Sequence, residues 1–493
     1  MVRTTNTMKL KHLRDSGGGS DSTHFPREVV DMAEETQQTT NTVTRDPRSR
    51  EMRVPLREEK RIQITKIRDS EAGGLPSVKN EDFFHGFMPR EQTERLLVKV
   101  GDFLVRQAVR AENRSAVAEQ FIISVRVKPP STDISKGGVV LTNKTDEEIA
   151  AEKKRIEQEM RHVFIKYSRR AKLYYVRLYG FKLVSGLIEY HKRHKIPIDE
   201  EKTVIKRAIK KADWQLNHEQ IIKTKRLGSG AFGDVYKGIL RSGLIDKKEV
   251  AIKTINGTIS AEENEKLFQE AMLMKTLIHP NVILFIGVAS NEEPVMVVME
   301  LAPGGAVLDA IQAKPGPTTY VRIKYCLGAA LGLTYLSGKG IIHRDIAARN
   351  TLIGKNNTAK ISDFGLSVLG AQKKEKTLKK VPVRYLAPET LQTRSYSTKT
   401  DVWTFGIYMW EVFHDGMTPY DEFPNTAAIR KFVLAGNRLN NSSDKYPEYL
   451  WTLTQDCWKQ SGADRPTFQV IASTIESHME DYNEDYGPFW KFW

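Results

Sequence analysis

Cysteine is nearly missing from this chain: 493 residues hold two, Cys326 and Cys457. They lie far apart with no CxxC or Cys/His spacing, which argues against a disulfide scaffold and a zinc site and fits a reducing, cytoplasmic compartment. No apolar run approaches the roughly 18 residues that a membrane span needs. The opening Met1-Val2-Arg3-Thr4 has neither a secretory apolar region nor the glycine required for myristoylation, so neither leader nor acyl anchor is expected. Internal repeats are absent. So is any excess of acid: Lys and Arg outnumber Asp and Glu by 76 to 61, a formal charge of +15. A basic balance invites nucleic-acid binding. The basic residues are dispersed, however, and no aromatic stacking sheet or zinc finger accompanies them, so nucleic acid is not an expected partner. Acidic peptides, and weak peripheral association with acidic membrane surfaces, suit the charge better.

The length predicts two or more domains. Residues 1–80 read as a disordered arm, with Gly17-Gly18-Gly19-Ser20, a Thr-rich stretch over 37–44 and few aromatics. From residue 82 to about 200 the pattern changes to short β-prone runs between two helical ones. Pro89 opens the first helix, ending near Leu97, and the second covers 183–194. Strands are expected at 103–109, 120–127, 163–167 and 173–178. A polar interruption at about 128–160 reads as an exposed loop-plus-helix insertion, with a capping box at Thr145-Asp146-Glu147-Glu148. A basic linker over 201–218, a larger domain over 219–477 and an aromatic tail over 478–493 complete the chain.

The larger domain carries the chemistry. His343-Arg344-Asp345-Ile346-Ala347-Ala348-Arg349-Asn350 is followed by β-prone Thr351-Leu352-Ile353, a turn over 354–357, a returning strand over 358–361, and Asp363-Phe364-Gly365. A hairpin sets the residue before its first strand beside the residue after its second. Asn350 and Asp363 should therefore meet, with Asp345 a few ångströms away. Hard Mg²⁺ takes Asn and Asp oxygens, and a nearby free Asp can position a hydroxyl and accept its proton, which is what phosphoryl transfer needs. The string resembles the catalytic and magnesium loops of protein kinases, and Ala347-Ala348-Arg349 resembles the tyrosine-kinase variant.

Upstream, Leu227-Gly228-Ser229-Gly230-Ala231-Phe232-Gly233-Asp234-Val235 is a GxGxxGxV loop, whose glycines let backbone N–H groups approach phosphates. Val250-Ala251-Ile252-Lys253 follows as a strand whose lysine can reach the α/β-phosphates. A helix then opens on the capping box Ser260-Ala261-Glu262-Glu263. Leu267, Glu270, Met274 and Leu277 share one face of it, so Glu270 points inward and needs a cation, for which Lys253 is the candidate. Met299-Glu300-Leu301, after the apolar run 295–298, resembles the hinge that holds adenine, with Met299 guarding the back pocket.

By the same resemblance, Glu389 of Ala387-Pro388-Glu389 pairs with Arg465, and Asp401 braces the catalytic loop. Val381-Pro382-Val383-Arg384 and Ala347 favour tyrosine over serine/threonine. Residues 370–380 hold no tyrosine, unlike most activation loops of the family. Thr377 is the only hydroxyl there, beside Lys373, Lys374, Lys376, Lys379 and Lys380. Tyr385 stands where tyrosine kinases usually have Trp and is expected to be structural.

In the smaller domain Phe103-Leu104-Val105-Arg106 resembles the FLVR motif of Src-homology-2 (SH2) domains, and Phe84-His85-Gly86-Phe87-Met88-Pro89-Arg90 their opening. The resemblance implies that Arg106 grips phosphotyrosine with its planar fork, with Arg90 and His162 completing the pocket. Ala108 departs from the expected Ser or Thr, with Arg114 and Ser115 as substitutes. Together the two halves resemble the Fes/Fer family of non-receptor tyrosine kinases over residues 82 to 477, the N-terminal membrane-curvature module being expected to be absent. The implied architecture is α+β and multidomain: an SH2 domain with a central antiparallel sheet flanked by two helices, then a bilobal kinase with the SH2 domain packed near Trp214. The implied activity is ATP- and Mg²⁺-dependent phosphorylation of protein tyrosines. In it Asp345 is the base, Lys253 and Glu270 form the activating pair, and Arg349 neutralises charge near the γ-phosphate. Asn350 and Asp363 hold the metal, and the SH2 domain recruits phosphotyrosine proteins. The alternative is an SH2 adaptor with a silent kinase domain, which should lack one of Lys253, Asp345 or Asp363. A tail switch is also conceivable from Tyr482 and Tyr486, both set among acids.

Overall fold

The computed structural model of the chain describes residues 77–483 except 109–119, 131–145, 169–170, 231–232, 244–245, 255–259, 371 and 375–381. The arm before Ser77, the tail beyond Asn483, Arg114, Ser115, Thr145, Ala231, Phe232, Lys376, Thr377, Lys379 and Lys380 therefore lie outside the described residues.

The first body is built from α1 (Arg90–Leu96), β1 (Asp102–Gln107), β2 (Phe121–Arg126), α2 (Asp146–Glu159), β3 (Met160–Ser168), β4 (Leu173–Val176), β5 (Tyr179–Phe181), α3 (Val184–His194) and β6 (Arg207–Ala208). Its sheet runs β5-β4-β3-β2-β1-β6, antiparallel except for the β1–β6 pair. Strand alternation divides the side chains. Phe103, Val105, Phe121, Ile123 and Val125 form one core with Val184, Leu187 and Ile188 of α3. Leu104 and Met160 turn the other way, onto Leu97 beyond α1.

Two expectations fail here. The run 173–178 is not one strand: Arg177 adopts φ +52, the chain turns, and Tyr179–Phe181 returns as β5. The insertion is not wholly exposed either. α2 runs straight into β3, and Glu159 and Met160 are buried. Arg126, itself buried, donates Nη1 to Glu159 Oε2 (2.9 Å), Nη2 to the Glu94 carbonyl (3.1 Å) and Nε to the Leu97 carbonyl. A buried guanidinium needs a carboxylate, and the end of the insertion supplies it.

After β7 (Gln215–Leu216) comes a small lobe of β8 (Ile221–Gly230), β9 (Gly233–Ser242), β10 (Asp246–Thr254), α4 (Ala261–Lys275), β11 (Phe285–Ala289) and β12 (Met296–Glu300), with sheet order β7-β11-β12-β10-β9-β8. The Ser260 capping box is formed: its Oγ accepts from Glu263 N while the Glu263 carboxylate accepts from Ser260 N. The large lobe is mainly helical, with α5 (Val307–Gln312), α6 (Thr319–Gly338), β13 (Ile341–Ile342), β14 (Thr351–Ile353), β15 (Ala359–Ile361), β16 (Val368–Leu369), β17 (Gln372–Lys374), α7 (Pro388–Thr393), β18 (Ser395–Ser397), α8 (Thr398–Phe413), α9 (Thr426–Leu434), α10 (Glu448–Cys457) and α11 (Phe468–Met479). Every residue of α8 from Thr400 onward is buried, so this helix is the axis of the lobe. Arg465 pairs with both Glu389 oxygens at 2.7 and 2.8 Å, and Asp401 accepts from His343 N (2.7 Å) and Arg344 N (2.9 Å).

The first body is tied to the small lobe through the backbone around Gly86. Phe87 N donates to the Ser290 carbonyl (2.8 Å), Ser290 Oγ to the His85 carbonyl (3.1 Å), and Asn264 Nδ2 of α4 to the Phe87 carbonyl (2.7 Å). The Phe87 ring joins the core containing Leu267 and Phe268. Trp214 takes part through its carbonyl, which accepts from Val288 N (2.8 Å), while its ring lies under Lys275 Nζ at 4.7 Å. His85 sits in this seam, its Nε2 donating to the Ile209 carbonyl (2.9 Å) and its Nδ1 accepting from Gln215 Nε2 (2.9 Å). Burial pulls its pKa from 6.5 down to about 4. The native ring stays neutral while the unfolded chain takes up a proton, so stability from this residue is intact above pH 6.5 and lost as pH falls toward 4. The loss reaches about 3 kcal/mol by pH 4. Tm measured from pH 7.5 to 4.5 should fall less steeply in His85→Gln than in the wild type.

Candidate active site

The hairpin forms as its turn signals dictate. β14 pairs with β15 in the register Thr351↔Ile361, and Ser362 N and Oγ both donate to the Asn350 carbonyl, at 3.0 and 2.7 Å. This holds the backbone of Asn350 next to the residue that precedes Asp363. The Asn350 side chain turns to Asp345, donating Nδ2 to Oδ2 at 2.7 Å and to the Asp345 carbonyl at 2.8 Å. Arg349 Nη2 pairs with the other oxygen, Asp345 Oδ1.

His343, fully buried, organises the loop and was not anticipated in this role. Its Nε2 donates to the Ser362 carbonyl (3.0 Å), its Nδ1 accepts from Asp345 N (3.3 Å), and its ring meets the edge of Phe364. Burial holds its pKa below the usual histidine range, consistent with a neutral ring that uses one nitrogen as donor and one as acceptor.

Lys253 lies on β10 between Val235 of β9 and Val297 of β12. Its Nζ reaches Glu270 Oε1 at 2.7 Å and Asp363 Oδ1 at 3.3 Å. Leu267 and Met274, on the same face of α4 as Glu270, are buried as expected; Leu277, expected on that face, is buried just beyond the end of the helix. Burial would lower the lysine pKa, but the two carboxylates outweigh it and keep Lys253 charged. Burial likewise opposes ionisation of Asp363, yet Lys253 holds its carboxyl below the usual range. Lys253 and Asp363 therefore stay ionised at neutral pH, while burial pushes the Glu270 carboxyl up against the pull of Lys253.

Above this pair β8 and β9 form the glycine hairpin, including Leu227, Gly228, Ser229 and Gly230 on one strand and Gly233 and Val235 on the other. Gly233 has φ +127, a conformation L side chains rarely adopt. At Gly228 an added Cβ would meet no described atom within 4 Å. Packing within the described residues does not demand a glycine there, which suits a strand that must let a ligand approach.

The hinge departs from expectation. β12 continues through Met299 and Glu300 instead of ending at 298. Met299 stands across from Ala251, and the Glu300 carboxylate accepts from Leu284 N (2.8 Å) and Lys360 Nζ (2.9 Å). Glu300 thus braces the lobes through one oxygen of its side chain, Oε1. Leu301 follows the strand, between the lobes.

Among the described residues, no cluster of three or more His, Cys, Asp or Glu is arranged to hold a metal by itself. Asn350 and Asp363 offer two hard oxygen donors, the number Mg²⁺ takes when phosphate and water oxygens fill the remaining positions. The residues present fit a metal that arrives with a nucleotide.

On the first body a second charged cluster forms. Arg106 Nε donates to Ser124 Oγ (3.3 Å), Ser124 Oγ contacts His162 Nδ1 (2.9 Å), His162 Nε2 lies 3.5 Å from Glu94 Oε1, and Arg90 Nε donates to the same oxygen (2.8 Å). The three anticipated residues converge. Ser124 and Glu94 were missed, although Glu94 stands one helical turn from Arg90 and could have been suspected as its partner. Burial and neighbouring Arg90 bring Arg106 down to about 10, still protonated at neutral pH.

The sequence profile described as "Protein tyrosine and serine/threonine kinase" matches residues 221–475. Similar proteins include Fer-related kinase 1 of Caenorhabditis elegans, 33% identical over 85% of this chain and 98% of that protein. Spermatocyte protein spe-8 of the same organism is 39% identical over 85% of this chain and 76% of its own length. Tyrosine-protein kinase Fer of Rattus norvegicus is 34% identical over 83% of this chain and 45% of its own length. With the Lys253–Glu270 pair formed beside Asp363, and relatives matched along most of the sequence, the chain belongs to the protein-tyrosine kinases of the Fes/Fer type.

Proposed function

We propose that the enzyme transfers the γ-phosphate of Mg·ATP to tyrosine hydroxyls at Asp345, and that its first body is an SH2 domain recruiting phosphotyrosine proteins. The domain limits follow: SH2 over 82–200, linker over 201–218, kinase over 219–477. The observation that carries the kinase half is the convergence on Asp345. Asn350 and Arg349 occupy its two oxygens and fix the carboxylate rotamer, so a substrate hydroxyl would meet an oriented acceptor. Lys253, kept charged, would hold the α/β-phosphates, and the backbone of the 227–235 loop would cradle them. The backbone around Met299, Glu300 and Leu301 would hold adenine. Mg²⁺ at Asn350 and Asp363 would neutralise charge on the phosphates. A cytoplasmic setting is supported by the two free, buried cysteines.

The SH2 reading rests on Arg106, half-buried, bonded to Ser124 and within electrostatic reach of Arg90, and on its planar fork, which a lysine does not reproduce. Arg106→Lys should weaken binding of a phosphotyrosine peptide by about 10–100-fold. Transfer to poly-Glu/Tyr should be unchanged. Titration calorimetry with phosphorylated and unphosphorylated forms of one peptide measures the first, and wild-type protein that binds both forms equally would remove the SH2 half. Loss of transfer by Asp345→Asn tests the kinase half.

A further inference from the structure

Glu411, in the last turn of α8, is a buried carboxylate with both oxygens engaged. Oε2 accepts from Ala348 N of the catalytic loop (2.9 Å), and Oε1 accepts from the Tyr385 hydroxyl (2.6 Å). The guanidinium of Arg349 lies over the Tyr385 ring at 4.9 Å while its Nη2 pairs with Asp345. One cation therefore faces two carboxylates, Asp345 and Glu411, and acts on both electrostatically. What separates them is the Tyr385 hydroxyl, which fills the Glu411 oxygen that Arg349 could otherwise take. The platform around Tyr385 is itself anchored: Thr404 Oγ1 donates to the Tyr385 carbonyl (3.2 Å), and Arg384 Nη1 to the carbonyls of Pro419 (2.7 Å) and Tyr420 (2.6 Å).

We infer that Tyr385 is a positioning residue for phosphoryl transfer, its hydroxyl satisfying Glu411 so that Arg349 stays on Asp345. A buried carboxylate stripped of one of two donors recruits another donor or takes up a proton. Arg349, whose charge already acts on Glu411, is the cation at hand. Its departure would leave the Asp345 carboxylate held by Asn350 alone and remove a positive charge from beside the transferred phosphoryl group. The hydroxyl thus acts through Arg349 without touching substrate. The inference rests on the reading of Asp345 as the acceptor of the substrate proton.

The test is a set of steady-state measurements on the full chain with Mg·ATP and a tyrosine peptide. Tyr385→Phe keeps the ring and loses the donor, and should lower kcat by about 10–100-fold, the worth of a hydrogen bond to a charged group. KM for ATP should hold, because Lys253 and the glycine hairpin are untouched. Two rescues separate positioning from mere structure. Tyr385→Trp restores an N–H donor and should recover most of kcat. Adding Glu411→Gln to Tyr385→Phe removes the competing charge and should recover part of it, whereas a purely structural role would make the pair worse than either change. Unchanged kcat in Tyr385→Phe, or a loss that neither rescue relieves, overturns the inference. Asp345→Asn is assayed alongside: full activity there would refute the Asp345 reading itself, independently of the Tyr385 results.

Discussion

Asp345→Asn is expected to lower kcat for peptide phosphorylation by about 10²–10⁴-fold, the range a positioned general base contributes. ATP affinity should be nearly unchanged. The substitution is close to isosteric and keeps an oxygen able to accept from Asn350 Nδ2, so the loop should hold its shape. What disappears is the negative charge that pairs with Arg349 and the lone pair that would take the hydroxyl proton. Loop geometry depends on groups the change does not touch: Asp401 on the His343 and Arg344 amides, and Ser362 on the Asn350 carbonyl. Single-turnover transfer, a nucleotide-binding titration and a melting curve on one preparation separate the cases. Wild-type kcat in the variant would exclude Asp345 as the base, and a collapsed Tm would show that the aspartate is structural.

Gly86→Val should cost about 3–6 kcal/mol of stability. Gly86 has φ +61, where a branched residue is strained by about 1–2 kcal/mol. A Cβ there would stand 1.9 Å from the Ser290 carbonyl oxygen and 2.7 Å from Asn291 Cα, both backbone atoms. Relief requires the two backbones to part, losing the Phe87–Ser290 bond and loosening the Ser290–His85 and Asn264–Phe87 bonds beside it. Asn264 lies on α4, two turns before Glu270, so activity should fall as well as stability. Gly436→Ala is the control: φ is +89, but a Cβ would meet nothing within 4 Å, so only backbone strain applies. Denaturant unfolding of both variants, with limited proteolysis over the 201–218 linker, distinguishes parted bodies from a weakened lobe. Equal losses in the two variants would show that contact with Ser290 contributes nothing.

Local features carried the reading furthest where spacing alone sets geometry. The turn over 354–357 brings Asn350 to Ser362 because a two-stranded hairpin has one sensible register. The three-and-four spacing of Leu267, Glu270 and Met274 aims Glu270 inward because a helix repeats every 3.6 residues. Its cation could then be inferred from the cost of burying a charge unpaired. The alternation of β1 likewise separates Arg106 from Phe103 and Val105. Elsewhere the same rules were silent or misled. A charged run such as α2 reads as solvent-exposed until Arg126, 33 residues before Glu159, claims its last carboxylate. Glu300 reads as a hinge residue open to ligand until Lys360 arrives from the other lobe.

By itself, then, the sequence determined which groups the proposed chemistry can draw on: an aspartate proposed as base, a lysine–glutamate pair, two oxygen donors and a glycine hairpin, each set by the residue types and by periodicities of a few residues. Only the tertiary structure decided how those groups are shared out. Arg349 goes to Asp345 and not to Glu411 because a tyrosine 26 residues before Glu411 fills that carboxylate, and the first body sits on α4 because Gly86 lets its backbone approach Ser290. Partners so far apart in the chain are chosen by which surfaces pack together, and no local pattern records that choice.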